Sequence, residues 1–81
     1  MKEGIKIMEL KPTQKQVLKV LVDHREEWLG REDIYKECKV NRNNIDSAIK
    51  FFMNNDYVHQ PNIEGKVIVS LDGIDLYYRN I

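Results

Sequence analysis

Residues 41–58, NRNNIDSAIKFFMNNDYV, decide the fold, because they predict one amphipathic helix. Its apolar residues recur at i, i+3, i+4 and i+7, the spacing that places side chains on one helical face. These residues are Ile45, Ala48, Ile49 and Phe52. Asn41 is a candidate N-cap, since its side chain can accept a hydrogen bond from a first-turn amide. Asn55 and Asp56 tolerate the left-handed conformation that often closes a helix.

The face opposite these apolar residues is polar. At about 100° per residue it carries Asn43, Ser47, Lys50 and Asn54. Such a face can read nucleic acid, or it can simply be solvated. The surrounding charge favours an anionic partner: residues 36–50 carry four cations against two acids, whereas residues 51–81 carry two cations against four acids.

Composition indicates one small globular domain. The chain has 81 residues, 42% hydrophobic and 32% charged, and its formal net charge is zero, which argues against a protein that coats nucleic acid indiscriminately. Its single cysteine, Cys38, excludes an internal disulfide and favours a reducing compartment. No apolar run approaches the length of a membrane span. We therefore expect a cytoplasmic protein without a membrane partner.

Two shorter elements are expected before the amphipathic helix. Residues 1–12 are predicted to form an N-terminal arm or a short strand, and Thr13 with Gln16 makes a capping box that would open the first helix. Gly30 marks the break before a second helix over residues 31–38. A turn of about three or four residues joins it to the amphipathic helix, which is the helix-turn-helix arrangement.

After Asp56 the spacing of the apolar residues changes from one typical of a helix to one typical of a strand. Residues 57–60 and 66–69 are predicted strands of a hairpin, with turn chemistry between them. Ser70 is expected to cap a last helix. The apolar side of that helix is predicted to hold Leu71, Ile74, Tyr77, Tyr78 and Ile81.

Two segments resemble the winged-helix family of DNA-binding domains. Residues 40–58, VNRNNIDSAIKFFMNNDYV, are similar to its recognition-helix pattern. Residues 67–78, VIVSLDGIDLYY, resemble its second wing strand running into a Ser-capped helix with a Gly-Ile pair, here Gly73 and Ile74. The resemblance implies an α+β, mainly helical fold over residues 13–81: a winged helix with a tri-helical core containing the helix-turn-helix, a β-hairpin wing and a C-terminal helix.

The resemblance also implies sequence-specific binding of double-stranded DNA by a transcriptional regulator, with the helix over residues 41–54 in the major groove. It places Arg42 near a phosphate, Lys36 and Lys39 near the backbone, and His59, Asn62 and Lys66 in the wing. The candidate DNA-binding residues are therefore Arg42, Asn43, Ser47, Lys50, Lys36, Lys39, Asn54, His59, Asn62 and Lys66. Asp46 lies beside this face, where it would repel phosphate unless it accepts a hydrogen bond from a cytosine amino group.

A homodimer is expected, because several apolar residues lie off the main apolar face of their helices. They are Leu18, Val22, Phe51 and Leu76. Either the last helix and the N-terminal arm cover them, or a second copy does.

Other classes of function have less support. The alternative is a winged-helix protein-interaction module that does not bind DNA, which the zero net charge would suit. No phosphate loop, nucleophile elbow or zinc-protease motif is present, so we expect no enzyme. Neither His24 nor His59 has ligands at metal-binding spacing, so no metal or cofactor is expected.

Overall fold

Four helices follow one another in the computed structural model, which describes residues 9–81. They are α1 (Pro12–Asp23), α2 (Arg31–Glu37), α3 (Arg42–Asn54) and α4 (Leu71–Arg79). Within residues 9–81, β pairing is limited to two isolated antiparallel bridges. The prediction of a small, mainly helical domain is confirmed, and its strand content is lower than predicted. The expected strand or arm over residues 1–12 falls mostly outside the described residues.

The amphipathic helix, α3, was predicted correctly at both ends and along its apolar face. The side chain of Asn41 accepts a hydrogen bond from the Asn43 N–H at 2.7 Å, and Asp56 has a positive φ of 63° after the helix. The four predicted apolar residues of α3 are all buried. This face packs against α1 and α2.

The start of α1 differs from the predicted capping box. The helix begins at Pro12, and Lys11 occupies the cap position, where its N–H donates to the side-chain oxygen of Gln14 at 2.9 Å. Thr13 and Gln16 therefore do not form the capping box. Proline suits the first helical position because that position needs no N–H donor and proline's φ is already helical.

Helix α1 is buried on more than one flank, as its sequence predicts. Its buried residues are Val17, Leu18, Val20, Leu21 and Val22. They pack against α2, α3 and α4. Leu18 and Val22, which lie off its main apolar face, are thus covered within the chain.

Helix α2 is one residue shorter than predicted, since it ends at Glu37 and Cys38 takes the C-cap position. At its start the Gly30 N–H donates to the carboxylate of Asp33 at 3.1 Å. Cys38 is buried, and burial raises the pKa of its thiol. This environment is that of a small buried hydrophobe and disfavours the reactive thiolate.

The predicted hairpin after α3 is not formed by continuous strands. Val58 bridges Val69, and the His59 N–H donates to the Ile68 carbonyl at 2.9 Å. The ladder is interrupted at Pro61, which has no N–H, and resumes at the turn, where the Asn62 N–H donates to the Lys66 carbonyl at 2.9 Å and the side-chain oxygen of Asn62 accepts from the Lys66 N–H at 3.0 Å. The turn that joins the two segments is closed by these local bonds.

A second bridge, which the sequence did not predict, ties this segment to the turn after α1. The Leu29 N–H donates to the Val67 carbonyl at 2.7 Å, and the Val67 N–H donates back to the Leu29 carbonyl at 2.8 Å. Leu29 and Val67 are both buried. The segment over residues 58–69 is therefore paired within itself, between Val58 and Val69, and also with Leu29 in the turn after α1.

The cap of α4 is confirmed, whereas only Ile74 and Tyr77, of the five residues on its predicted apolar side, pack against the core. Ser70 Oγ accepts from the Gly73 N–H at 3.1 Å and donates to the Asp56 carbonyl at 2.8 Å. The buried residues of α4 are Gly73 and Leu76. Leu71, Tyr78 and Ile81 are instead exposed. The reason is that the main chain at residue 57 approaches α4 at Gly73, which turns that face inward.

A pH-dependent contact joins the end of α1 to the end of α2. His24 Nδ1 lies 3.2 Å from Glu27 Oε2, and its Nε2 lies 2.9 Å from Glu37 Oε2. The hydrogen bond to Glu27, together with the negative charge of Glu37, raises the pKa of His24. Because the folded state holds this proton more tightly than the unfolded state, protonation of His24 stabilises the fold.

We expect the stabilisation from His24 to be fully present below about pH 6.5, the ordinary pKa of histidine, and to be lost as the pH rises through the raised pKa of the folded state. The measurement is the thermal midpoint of the protein and of a His24→Gln variant over a pH series. The two midpoints should converge at higher pH. A constant difference at every pH would contradict the contribution of this proton.

Candidate nucleic-acid interface

The outward face of α3 presents the polar residues that the sequence singles out. Asn43, Ser47, Lys50 and Asn54 are all exposed. Their helical spacing places them on one side of α3, opposite the residues buried in the core. Because the buried face is anchored against α1 and α2, this polar face is held outward. It offers amide, hydroxyl and ammonium groups, the chemistry that recognises base edges in a groove.

Asp46, the one acidic residue of α3, is tied to α2. Its Oδ1 lies 2.8 Å from Arg31 Nη1 and accepts a hydrogen bond from the Tyr35 hydroxyl at 2.6 Å. The hydrogen bond to Asp46 raises the pKa of the Tyr35 hydroxyl, which keeps that hydroxyl a donor. Asp46 is thus paired within the chain, where Arg31 balances its charge, and its side chain remains 39% exposed.

Arg42 lies at the joint between α2 and α3. Its guanidinium carbon is 4.8 Å from the centre of the Tyr35 ring, a cation–π geometry, and its Nη2 is 3.9 Å from Glu32 Oε1. The side chain remains 68% exposed. Lys36 and Lys39, in the last turn of α2 and just after it, are also exposed. The region around the start of α3 therefore presents three exposed cations.

The predicted wing residues lie in the segment after α3, and two of them have partners there. The side-chain oxygen of Asn62 accepts from the N–H groups of Glu64 at 2.9 Å and Lys66 at 3.0 Å, so it shapes the turn. Lys66 Nζ lies 3.6 Å from Glu64 Oε1. His59 is exposed. This segment therefore offers less positive charge to an anion than the region around α3.

A groove beside α3 adds residues that the sequence did not suggest. It has a volume of about 480 Å³. It is lined by Lys11, Pro12, Thr13, Gln14, Asn44, Ser47 and Ala48. Ser47 thus borders the start of α1, some thirty residues earlier in the chain. No local pattern could reveal this neighbour, because it arises from the packing of α1 on α3.

Other kinds of site find no support in residues 9–81. That part of the chain contains no group of three or more His, Cys, Asp or Glu side chains placed to hold a metal ion. Nor does it contain a helix with the length and apolarity that a membrane crossing requires. Neither the protein-family models, nor the curated proteins, nor the solved structures with which the chain was compared match it.

Proposed function

We propose that this chain is a winged-helix protein that binds double-stranded DNA sequence-specifically and regulates transcription, with α3 in the major groove. One observation carries the proposal: the acidic residue of α3, Asp46, is bound back to Arg31 and Tyr35, while the polar face of α3 is left exposed. A helix that enters the groove must keep carboxylates away from phosphates. The α2–turn–α3 order and the paired segment after α3 support the winged-helix assignment.

In this mechanism, base edges and phosphates are contacted by different side chains. Asn43 can pair with adenine through two hydrogen bonds and Lys50 with guanine, and each well-placed pair contributes about 1–3 kcal/mol of discrimination. Arg42, Lys36 and Lys39 would contact phosphates, which sets the register without reading sequence. Because these cations are few, the affinity should fall with salt along a shallow slope.

The test removes two cations from this surface. We expect the Arg42→Ala/Lys50→Ala variant to bind duplex DNA at least about 100-fold more weakly, and to lower the dependence of log affinity on log salt by about 1, because Arg42 is the phosphate contact of the two. Fluorescence anisotropy with a labelled pool of mixed-sequence duplexes at several salt concentrations measures both quantities. The matched control is Lys19→Ala/Arg25→Ala, which removes the same charge from α1 and the turn after it and should bind almost as the unaltered protein does.

Two results would reject the proposal. One is the absence of duplex binding by the unaltered protein at low salt. The other is an equal loss of affinity in the control variant, which would mean that total charge and not the α3 surface governs binding.

The rival function, a protein-interaction module, is favoured by the zero net charge of the chain. Under that alternative, the Arg42→Ala/Lys50→Ala variant would leave partner capture largely unchanged.

A further inference from the structure

The outer face of α4 carries exposed apolar side chains. Leu71 is 84% exposed, Tyr78 is 53% exposed and Ile81, just after the helix, is 75% exposed, with the partly buried Ile74 between them. In residues 9–81 five large hydrophobic residues are exposed, and three of them lie here. An apolar surface concentrated in this way indicates a binding face, whereas isolated exposed side chains do not.

The spacing of this face is that of a helix–helix seam. Positions 71, 74 and 78 are separated by three and four residues, the alternation that places knobs along the contact line of paired helices, and Ile81 follows two residues beyond the helix end at Arg79. The ring of Tyr78 is held by Tyr77, with ring centres 5.4 Å apart in an edge-to-face arrangement. Tyr77 itself packs against the core. The aromatic side chain at the middle of the seam is thus positioned before any partner arrives.

Charged residues along one flank of the seam distinguish antiparallel from parallel pairing. Asp72 lies in the first turn of α4, Asp75 at its centre and Arg79 at its end, where Arg79 Nε lies 2.8 Å from Asp75 Oδ2 of the same chain. At about 100° per residue all three project from the same side of the helix. When two such helices pack antiparallel about a twofold axis, equal flanks face each other with their ends reversed, so Arg79 of one copy lies opposite Asp72 of the other. In a parallel pair the charged flank would face an uncharged one.

We propose that the α4 seam, formed by Leu71, Ile74, Tyr78 and Ile81, binds the same seam of a second copy in antiparallel orientation. A helix of this length spans only about 14 Å, so the contact is small and the dimer should form at micromolar rather than nanomolar concentration. The proposal does not depend on DNA binding. If both hold, the dimer presents two α3 helices to a palindromic site.

The first experiment compares the oligomeric state of full-length variants by sedimentation equilibrium. We expect the unaltered protein to associate to a dimer with rising concentration, and Leu71→Gln/Tyr78→Gln to weaken that association at least about tenfold. Ile63→Gln is the matched control, because Ile63 is fully exposed in the turn before Gly65 and lies outside the seam. Circular dichroism should show the same helix content in all three proteins.

The second experiment tests the orientation. Asp72→Arg and Arg79→Asp should each weaken the dimer, and the Asp72→Arg/Arg79→Asp double variant should recover it, since the reversed charges again face each other. Failure of the double variant to recover would overturn the antiparallel arrangement. A monomer at every concentration would overturn the whole proposal and leave residues 1–8 of the same chain as the candidate cover. Equal weakening by Ile63→Gln would assign the association to non-specific apolar contact.

Discussion

Replacing the buried Gly73 with alanine is expected to destabilise the domain more than a conservative substitution of an exposed residue would. A Cβ at this position would overlap the carbonyl oxygen of Tyr57 and lie 2.6 Å from Val69 Cγ2. The first obstacle is main chain, which cannot rotate away as a side chain can. We expect a loss of about 3 kcal/mol or more in the free energy of unfolding, measured by urea denaturation, and a fall of at least about 12 °C in the thermal midpoint.

Gly30→Ala provides the control for the Gly73 prediction. A Cβ at Gly30 would meet its nearest atom, Asp33 Oδ2, at 3.6 Å, which is ordinary van der Waals contact. The expected loss is under about 1 kcal/mol, since alanine is a poorer N-cap residue than glycine. If the two variants lost equal stability, the loss at Gly73 would reflect the general effect of removing a glycine and not the close approach of residue 57.

The second large effect is expected at Phe52, on the buried face of α3. This side chain is 0% exposed, and its ring meets those of Phe51 and Tyr57 edge-on, with centres 5.6 Å and 6.5 Å apart. Phe52→Ala would leave a cavity at the centre of the core, and we expect it to lower the free energy of unfolding by about 3–5 kcal/mol. Urea denaturation followed by circular dichroism measures this loss.

Asn54→Ala is the matched control for Phe52→Ala, because it truncates an exposed side chain on the opposite face of the same helix. Its effect on stability should stay within about 0.5 kcal/mol. A tolerated Phe52→Ala would contradict the contribution of the Phe52 ring to the core.

Most of α3 could be predicted from sequence because its signals are local and agree with one another. The apolar period, the Asn41 cap and the left-handed residue Asp56 all lie within one continuous stretch. The cap of α4 by Ser70 was predictable for the same reason. The exposure of the polar face of α3 followed directly, since one buried face fixes the direction of the other.

The inward side of α4 could not be predicted from spacing alone. Apolar residues cover more than half of its circumference, so the period does not choose between the face of Leu76 and that of Leu71. The choice is made by the close approach of residue 57 to Gly73, a contact between segments distant in sequence. A glycine inside a helical pattern was the available signal, because such a glycine often marks close packing.

The role of Asp46 was missed for a related reason. Its partners Arg31 and Tyr35 lie four residues apart on α2 and therefore share a face, but which residue of α3 meets that face depends on how the two helices cross. Likewise, the strands were overestimated because β-branched residues indicate strand preference, whereas pairing also requires free main-chain donors. Pro61 and the side chain of Asn62 reduce those donors.

The contacts of Asp46 also bear on the entropy of any binding event at α3. Arg31 and Tyr35 are already restrained when the chain folds, and Arg42 rests on the Tyr35 ring. Immobilising a long side chain during association costs about 0.5–1.5 kcal/mol. For Arg42, part of that ordering takes place during folding, because the Tyr35 ring on which it rests is itself held by Asp46. A partner that binds at Arg42 therefore loses less of its binding energy to the ordering of this side chain.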